Sequence, residues 1–203
     1  MNSSRVSASA VFAACAAPLV MMLAGCGSDA EAAPNSSVVA EPAESPVAGA
    51  ASCPTTPPAT AGAPEWTLPG TSGSVAVTGS TDTAAPLVKV EGPFSVAETQ
   101  VHTLQAGTGP VVAPTATVSV CYEGVNGRDG SIFDSSYQRG EPAEFPLDRV
   151  VPGFQKAIAG QTVGSTVAVA MSSADGYPDG QPSAGILPGD TLVFAIKVLG
   201  VTG

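Results

Sequence analysis

The chain has 203 residues, and its 17 acidic against 7 basic side chains give a formal net charge of −10. So few cations argue against a nucleic-acid partner, because neutralising phosphates needs clustered Lys and Arg. The content of 23 Gly and 19 Pro predicts many turns and argues against an all-helical bundle.

The first 26 residues have the pattern of a processed lipoprotein signal. One charge, Arg5, precedes an uncharged apolar run that ends in Leu23-Ala24-Gly25-Cys26. This ending resembles the lipobox of bacterial lipoproteins, in which the cysteine thiol is acylated. We therefore expect residues 1–25 to be removed and Cys26 to anchor the protein in the cell membrane on its extracytoplasmic side. An uncleaved transmembrane anchor is the alternative, and Pro18 argues against it.

Residues 26–64 consist mainly of Ala, Pro, Ser, Thr and Glu, which predicts a disordered tether after the lipidated cysteine. The tether contains Cys53, and Cys121 follows in the folded region. An oxidising compartment would let these two thiols pair. The alternation around Cys121 places it on the face of a strand opposite the core, where it would be accessible. One disulfide and two free thiols therefore both remain open, and we favour the free thiols.

The remaining chain has the pattern of an antiparallel sheet with one helix. Residues 65–97 form an N-terminal extension in which 75–77 and 87–90 are candidate short strands. Residues 98–203 form the main folded region, with a helix that begins at Pro152 and ends at Gly160. Strands are predicted at 101–104, 115–123, 166–171 and 191–199, and the second of these has strict period-two alternation. This arrangement predicts an α+β fold.

The search for titrating catalytic groups is negative. The sequence has no nucleophile elbow and no phosphate-binding loop, and its Cys and His spacings do not fit a zinc or haem site, so we expect no metal and no cofactor. His102 lies at a polar strand position and is expected to be solvated. Asp175 and Asp179 flank Gly and Pro, so turn formation explains them better than acid–base chemistry.

Large apolar and aromatic residues instead occur at element ends and in turns, which predicts a lined pocket, although an ordinary core would also explain them. These residues are Tyr122, Phe133, Phe145, Val150, Val151, Phe154, Tyr177, Ile186 and Phe194.

The order of the motifs around these residues resembles the FKBP family of peptidyl-prolyl isomerases, over about half of the chain. The motifs are Val120-Cys121-Tyr122-Glu123-Gly124, Gly130-Ser131-Ile132-Phe133-Asp134-Ser135-Ser136, Phe145-Pro146-Leu147, Val150-Val151-Pro152-Gly153-Phe154, Tyr177, Gly185-Ile186-Leu187-Pro188 and Asp190-Thr191-Leu192-Val193-Phe194. The resemblance implies an antiparallel half-barrel sheet wrapped around one short helix, with a proline pocket between them.

The resemblance also implies the roles of individual residues. The catalytic set would be Tyr122, Phe133, Asp134, Tyr177 and Phe194, and the substrate-binding set Phe145, Val150, Val151, Phe154, Ile186 and Leu187. Asp134, Ile186 and Tyr177 would lie at the pocket rim. There the Val151 N–H and the Tyr177 hydroxyl would meet substrate carbonyls.

The implied protein is a monomeric, membrane-tethered isomerase that acts on X-Pro segments of exported or cell-surface proteins and also accepts macrolide ligands. Three positions depart from the family pattern: Phe154 replaces the usual Trp, Ala143 replaces an aromatic residue, and the loop at 179–183 is one residue longer. A proline-peptide binding or chaperone module with little isomerase activity is therefore the alternative. An adhesion sandwich would leave the helix and the order of the aromatic residues unexplained.

Overall fold

The computed structural model describes residues 52–58 and 63–202, which belong to one compact unit, Pro46–Gly203. Its strands and helices are β1 Trp66–Pro69, β2 Ser72–Thr78, β3 Leu87–Ser95, β4 Gln100–Gln105, β5 Thr117–Asn126, β6 Ile132–Ser135, α1 Ser136–Arg139, β7 Ala143–Pro146, α2 Pro152–Ile158, β8 Thr166–Met171 and β9 Leu192–Val201. Strands β1 to β3 form a small antiparallel sheet. In the main antiparallel sheet β4-β8-β9-β5-β6 are neighbours, and β7 also pairs with β5.

Helix α2 packs against one face of the main sheet and forms the larger core with it. Pro152 starts the helix, and Phe154 and Ile158 lie one turn apart, so both point into the core. Burying each of these side chains contributes about 1.5–3 kcal/mol. Gly153 allows the close approach to β8, because a Cβ atom there would lie 2.4 Å from Met171 Cγ.

Strand β5 has two successive partners along one edge, and the gap between them is filled by a side chain. Thr117–Val120 pairs with β7, whereas Glu123–Val125 pairs with β6. Between them, the Tyr122 N–H donates to Ser136 Oγ at 2.8 Å, and Ser136 Oγ lies 3.3 Å from the Tyr122 carbonyl oxygen, to which it donates. The first residue of α1 therefore replaces the missing strand partner at Tyr122.

The small sheet covers the opposite face of the main sheet. Val75, Val77 and Phe94 pack there against alanines and a valine of β8 and β9, which are Ala168, Ala170, Ala195 and Val193. The Phe94 N–H also donates to the Gly127 carbonyl oxygen at 2.8 Å. Because apolar clusters lie on both faces, every residue of β8 is buried.

The two cysteines form a disulfide, so the expectation of free thiols is wrong. Cys53 and Cys121 are bonded, with their Cα atoms 5.6 Å apart, and only 2% and 1% of their surfaces are exposed. Residues 52–58 lie over this face of β5: the Cys53 N–H donates to the Gly140 carbonyl oxygen at 3.2 Å, and the Ala85 N–H donates to that of Thr56 at 2.9 Å. Cys121 does lie opposite the larger core, as predicted, but this segment and Tyr137 cover it.

The predicted α+β fold, an antiparallel sheet with a short helix, is confirmed. The predicted strand at 166–171 coincides with β8, and the stretch predicted to hold two short strands contains three, β1 to β3. His102 is exposed as predicted, and its ring stacks on Trp66 at 5.6 Å. The predicted signal, Cys26 and most of the predicted tether lie outside the described residues. No helix in the described ranges is both long and apolar enough to cross a membrane.

Candidate functional site

A cavity of about 440 Å³ opens between the main sheet and the N-terminus of α2. Nine of the eleven residues that the sequence predicts for the site line it, together with Arg149, which the sequence analysis did not single out. The lining residues are Tyr122, Phe133, Asp134, Phe145, Arg149, Val150, Val151, Phe154, Tyr177 and Phe194.

Five aromatic rings form the wall and floor of this cavity through edge-to-face and tilted contacts. Phe154 lies at the centre, with its ring centroid 5.4 Å from that of Phe194, 5.6 Å from that of Phe145 and 6.0 Å from that of Tyr122. Phe133 meets Phe194 edge-on at 5.5 Å. Such contacts stabilise the relative orientations of the rings that form the cavity.

Gly124 on β5 makes room for two of these rings. A Cβ atom at this position would lie 2.6 Å from Phe133 Cζ and 2.8 Å from Phe194 Cε1. Any side chain there would therefore displace the aromatic wall. The resemblance motif contains this glycine, and the close approach gives the physical reason for it.

A hydrogen-bonded group of three side chains closes one side of the cavity. The Tyr122 hydroxyl donates to Asp134 Oδ2, Arg139 Nη1 donates to Asp134 Oδ1 at 2.6 Å, and Arg139 Nη2 donates to the Tyr122 hydroxyl at 3.1 Å. The Arg139 guanidinium also lies over the Tyr122 ring, 5.7 Å from its centroid. These contacts fix the direction in which the phenol and the carboxylate point.

The two acidic groups of this trio titrate far from neutral pH. Burial, reinforced by the bond to Asp134, raises the pKa of Tyr122 to about 12. Burial would raise the pKa of Asp134 as well, but the hydrogen bonds from Tyr122 and Arg139 outweigh it and hold that pKa below its usual value. Tyr122 is therefore a neutral phenol and Asp134 a carboxylate at neutral pH, and neither is poised for proton transfer.

Arg139 is a residue that the sequence analysis missed. Helix α1 carries it, and this helix begins where the Ser135 side chain accepts a hydrogen bond from the Gln138 N–H and ends at Gly140, which has a φ of 77°. A serine followed five residues later by glycine was a usable signal for such a short helix. The helix places Arg139 one turn past Asp134, which brings the two charges together.

Two hydrogen-bond donors at the cavity have no partner in the described part of the chain. The Val151 N–H precedes α2 as its N-cap residue, and the Tyr177 hydroxyl belongs to a half-buried side chain. Buried or half-buried donors are normally satisfied, so both are available to an acceptor on a ligand. Both residues were expected to provide donors at the rim.

Two predicted site residues lie elsewhere. Ile186 was expected at the rim, but it is 1% exposed, belongs to the larger core and exchanges backbone hydrogen bonds with Gln181. Leu187 is 50% exposed, and neither residue lines the cavity. Ile186 forms an antiparallel bridge with Gln181, and successive side chains of extended backbone point to opposite sides, so the isoleucine is buried and the leucine is exposed.

The residues that line the cavity lie within a stretch that matches a known protein family. The sequence profile described as "FKBP-type peptidyl-prolyl cis-trans isomerase" matches residues 109–199. The chain is 33% identical over 119 residues to the "FK506-binding protein" of Streptomyces anulatus, which covers 57% of this chain and 96% of that protein. It is 37% identical over 94 residues to the "Probable FK506-binding protein" of Corynebacterium glutamicum, covering 46% and 78%.

Longer relatives match only in part. The chain is 39% identical over 100 residues to the "FKBP-type 22 kDa peptidyl-prolyl cis-trans isomerase" of Escherichia coli (strain K12), covering 49% of this chain and 48% of that protein. The chain thus spans less than half the length of this curated relative. The small sheet and Cys53 lie outside the residues that the family profile matches.

Proposed function

Because the chain belongs to the FKBP-type peptidyl-prolyl cis-trans isomerase family, we propose that it catalyses rotation about X-Pro peptide bonds in the aromatic cavity. The observation that carries this proposal is the combination of a preformed apolar cavity with two unpartnered donors at its mouth. The pKa values of Tyr122 and Asp134 beside the cavity lie far from neutral pH, so neither group is suited to proton transfer. This suits a reaction in which no proton and no covalent bond moves.

The barrier to X-Pro rotation is about 18–20 kcal/mol because the planar amide must lose its resonance. The planar amide is more charge-separated than the twisted one. An apolar site that removes water from the amide therefore disfavours the planar form relative to the twisted form. Converting a process of tens of seconds into one of milliseconds requires about 10⁴-fold acceleration, or roughly 5.5 kcal/mol of preferential binding to the twisted amide.

Different residues of the cavity can contribute to this preferential binding of the twisted amide. The prolyl ring would lie against Phe154 and Phe194, which exclude water from it. The Val151 N–H would fix a substrate carbonyl, and the Tyr177 hydroxyl a second one. The carboxylate of Asp134 would lie near the rotating amide with its direction set by Arg139.

Isomerisation is tested with a protease-coupled assay on a short X-Pro peptide, using the full chain in mild detergent. We expect Tyr122→Ala and Asp134→Ala each to lower kcat/KM about tenfold or more, since each removes part of the fixed wall. Val111→Ala is the control, because Val111 is 67% exposed and does not line the cavity. Full activity in Tyr122→Ala would contradict the assignment of the cavity.

A binding module with little turnover is the second candidate, and the wall at Ala143 favours it. Ala143 packs at the edge of the core without lining the cavity, where an aromatic residue would add a further contact. If this gap limits the rate, Ala143→Phe should raise kcat/KM severalfold, whereas Ala143→Ser should not. Peptide binding without isomerisation by the folded protein would replace the first candidate with the second.

We further propose that macrolide ligands compete with peptide for the cavity. Two relatives carry the name FK506-binding protein, and this chain has the aromatic cavity those matches cover. Competition is measured as inhibition of isomerisation by FK506. Substituting Phe154→Trp should tighten inhibition, because the larger ring adds contact area and an N–H donor.

Export and lipid anchoring complete the proposal. The lipobox-like Leu23-Ala24-Gly25-Cys26 and the Cys53–Cys121 disulfide both fit an oxidising, extracytoplasmic compartment, and one relative is named "Outer membrane protein MIP". The clients would then be X-Pro segments of exported or cell-surface proteins.

Metabolic labelling with palmitate tests the anchor. Cys26→Ser should lose both the label and the membrane fraction, while the matched Cys15→Ser keeps them. A labelled Cys26→Ser protein would exclude this anchor. Light scattering tests the expected monomer.

A further inference from the structure

Arg149 is a cation at the mouth of the cavity that the proposed mechanism does not use. It lies in the turn between β7 and α2, where its N–H donates to the Pro146 carbonyl oxygen at 3.0 Å, and its exposed side chain lines the cavity. Asp134 is the other charged residue among those that line the cavity.

The charge of Arg149 is not compensated within the described residues, whereas the other cations near the site are. Arg139 pairs with Asp134 at 2.6 Å, and Lys156 pairs with Asp175 at 2.7 Å. Arg149 forms no salt bridge in the described part of the chain, and the carboxylate it would otherwise share is already bound twice. The guanidinium of Arg149 is therefore a cation at the cavity that forms no salt bridge with a carboxylate of the described residues.

An unpaired guanidinium at the cavity contrasts with the formal net charge of −10 of the whole chain. A guanidinium binds a carboxylate through two parallel N–H···O bonds, and it does so better than an ammonium does. A peptide seated with its proline on the cavity floor would bring the side chain next to the proline close to the mouth. A glutamate or aspartate at that position could then form an ion pair with the Arg149 guanidinium.

We propose that Arg149 makes the cavity favour X-Pro segments in which the residue next to the proline is acidic over those in which it is the matching amide or a cation. This inference rests on the proposed binding of proline peptides in the cavity. Partly exposed ion pairs change affinity by about 1.5- to 5-fold, and we expect a preference of that size.

The test uses acetyl-capped Ala-Xaa-Pro-Phe-4-nitroanilide peptides in which Xaa is Glu, Gln or Lys, so that Xaa supplies the only peptide charge. The full chain is compared with Arg149→Gln and Arg149→Glu at about 20 mM and about 0.5 M salt. Lys89→Gln is the matched control, since it removes the same charge from an exposed position on β3. The quantity compared is the ratio of kcat/KM for Glu to that for Gln.

We expect this ratio to be about 2–5 for the unsubstituted chain at low salt and to fall toward one at high salt. It should be about one for Arg149→Gln, should favour Lys over Glu for Arg149→Glu, and should be retained in Lys89→Gln. Equal ratios in the unsubstituted chain and Arg149→Gln would overturn the proposal. An equal loss in Lys89→Gln would also overturn it, because the effect would then come from overall charge.

Binding of the same peptides, followed by NMR titration, separates this inference from the proposed function. If no peptide is isomerised but Glu binds more tightly than Gln only while Arg149 is present, the inference stands and the isomerase proposal fails. If peptides are isomerised with a ratio of one, the inference fails and the isomerase proposal stands. If no peptide binds, both fail.

Discussion

Reducing the Cys53–Cys121 disulfide should destabilise the folded unit strongly. The bond joins residues separated by 68 positions in sequence, so it closes a long loop in the unfolded chain. In the chain-entropy account, a loop of this length contributes about 4.4 kcal/mol to the free energy of unfolding. For a folded unit of about 150 residues, this corresponds to a fall of roughly 9–18 °C in Tm.

Thermal unfolding of the oxidised and reduced protein measures this contribution. Trp66 is the single tryptophan, so its fluorescence reports on the small sheet, while circular dichroism reports on both sheets. Reduction is the better perturbation because it keeps both side chains. The double variant Cys53→Ala/Cys121→Ala also removes buried volume, and it should be slightly less stable than the reduced protein.

A shift below about 3 °C, with both thiols shown to be free by mass spectrometry, would refute this reasoning. It would mean that the Cys53–Cys121 bond contributes far less to the free energy of unfolding than the chain-entropy account gives for a loop of this length. Unfolding of the reduced protein at two separate temperatures would instead show that the segment and the sheets no longer unfold together.

Three further outcomes are expected. Gly124→Ala should lower kcat/KM about tenfold or more and the free energy of unfolding by about 1–3 kcal/mol, because its Cβ would overlap the aromatic wall; Gly200→Ala, which meets no atom within 4 Å, is the control and should change neither. Activity should stay flat from about pH 5 to 9, since the pKa of Asp134 is lowered and that of Tyr122 is raised to about 12; a bell-shaped profile would show that a group titrates in the rate-limiting step. Urea unfolding should show that Asp134 stabilises the fold above its unfolded pKa and that this contribution is lost as the pH falls below that value. The contribution of Tyr122 should be present below about pH 10 and lost as the pH rises toward 12. A free energy of unfolding that does not change at either extreme of pH would contradict these shifts.

The sequence predicted the regular strands and the main helix because each has one dominant period. Val118, Val120 and Tyr122 alternate with polar residues at the start of β5, and Pro152, Phe154 and Ile158 mark α2. Strands β6 and β7 and helix α1 have four residues each, too few for a period to show. Aromatic residues of the cavity were found through motif order, and the structure brings them together.

The features that the sequence did not predict depend on contacts that hydrophobic periodicity does not encode. Alternation gave the face of β5 on which Cys121 lies, but not that a segment distant in sequence would cover this face. The burial of Ile186 depends on its bridge with Gln181, a pairing within an irregular loop that the sequence pattern does not show. Arg149 carries no pattern of its own, and only the three-dimensional structure shows that it lines the cavity.

The covering of the main sheet sets the smallest fragment that can be expected to fold. A fragment limited to the family match at residues 109–199 would lose β4, the edge partner of β8, and the whole small sheet. Without the small sheet, Ala168, Ala170 and Val193 would be exposed to water. Starting at residue 65 instead would keep the small sheet but leave Cys121 as an unpaired thiol, open to cross-linking between molecules. Ser52 is therefore the latest start point that preserves the interior of this protein.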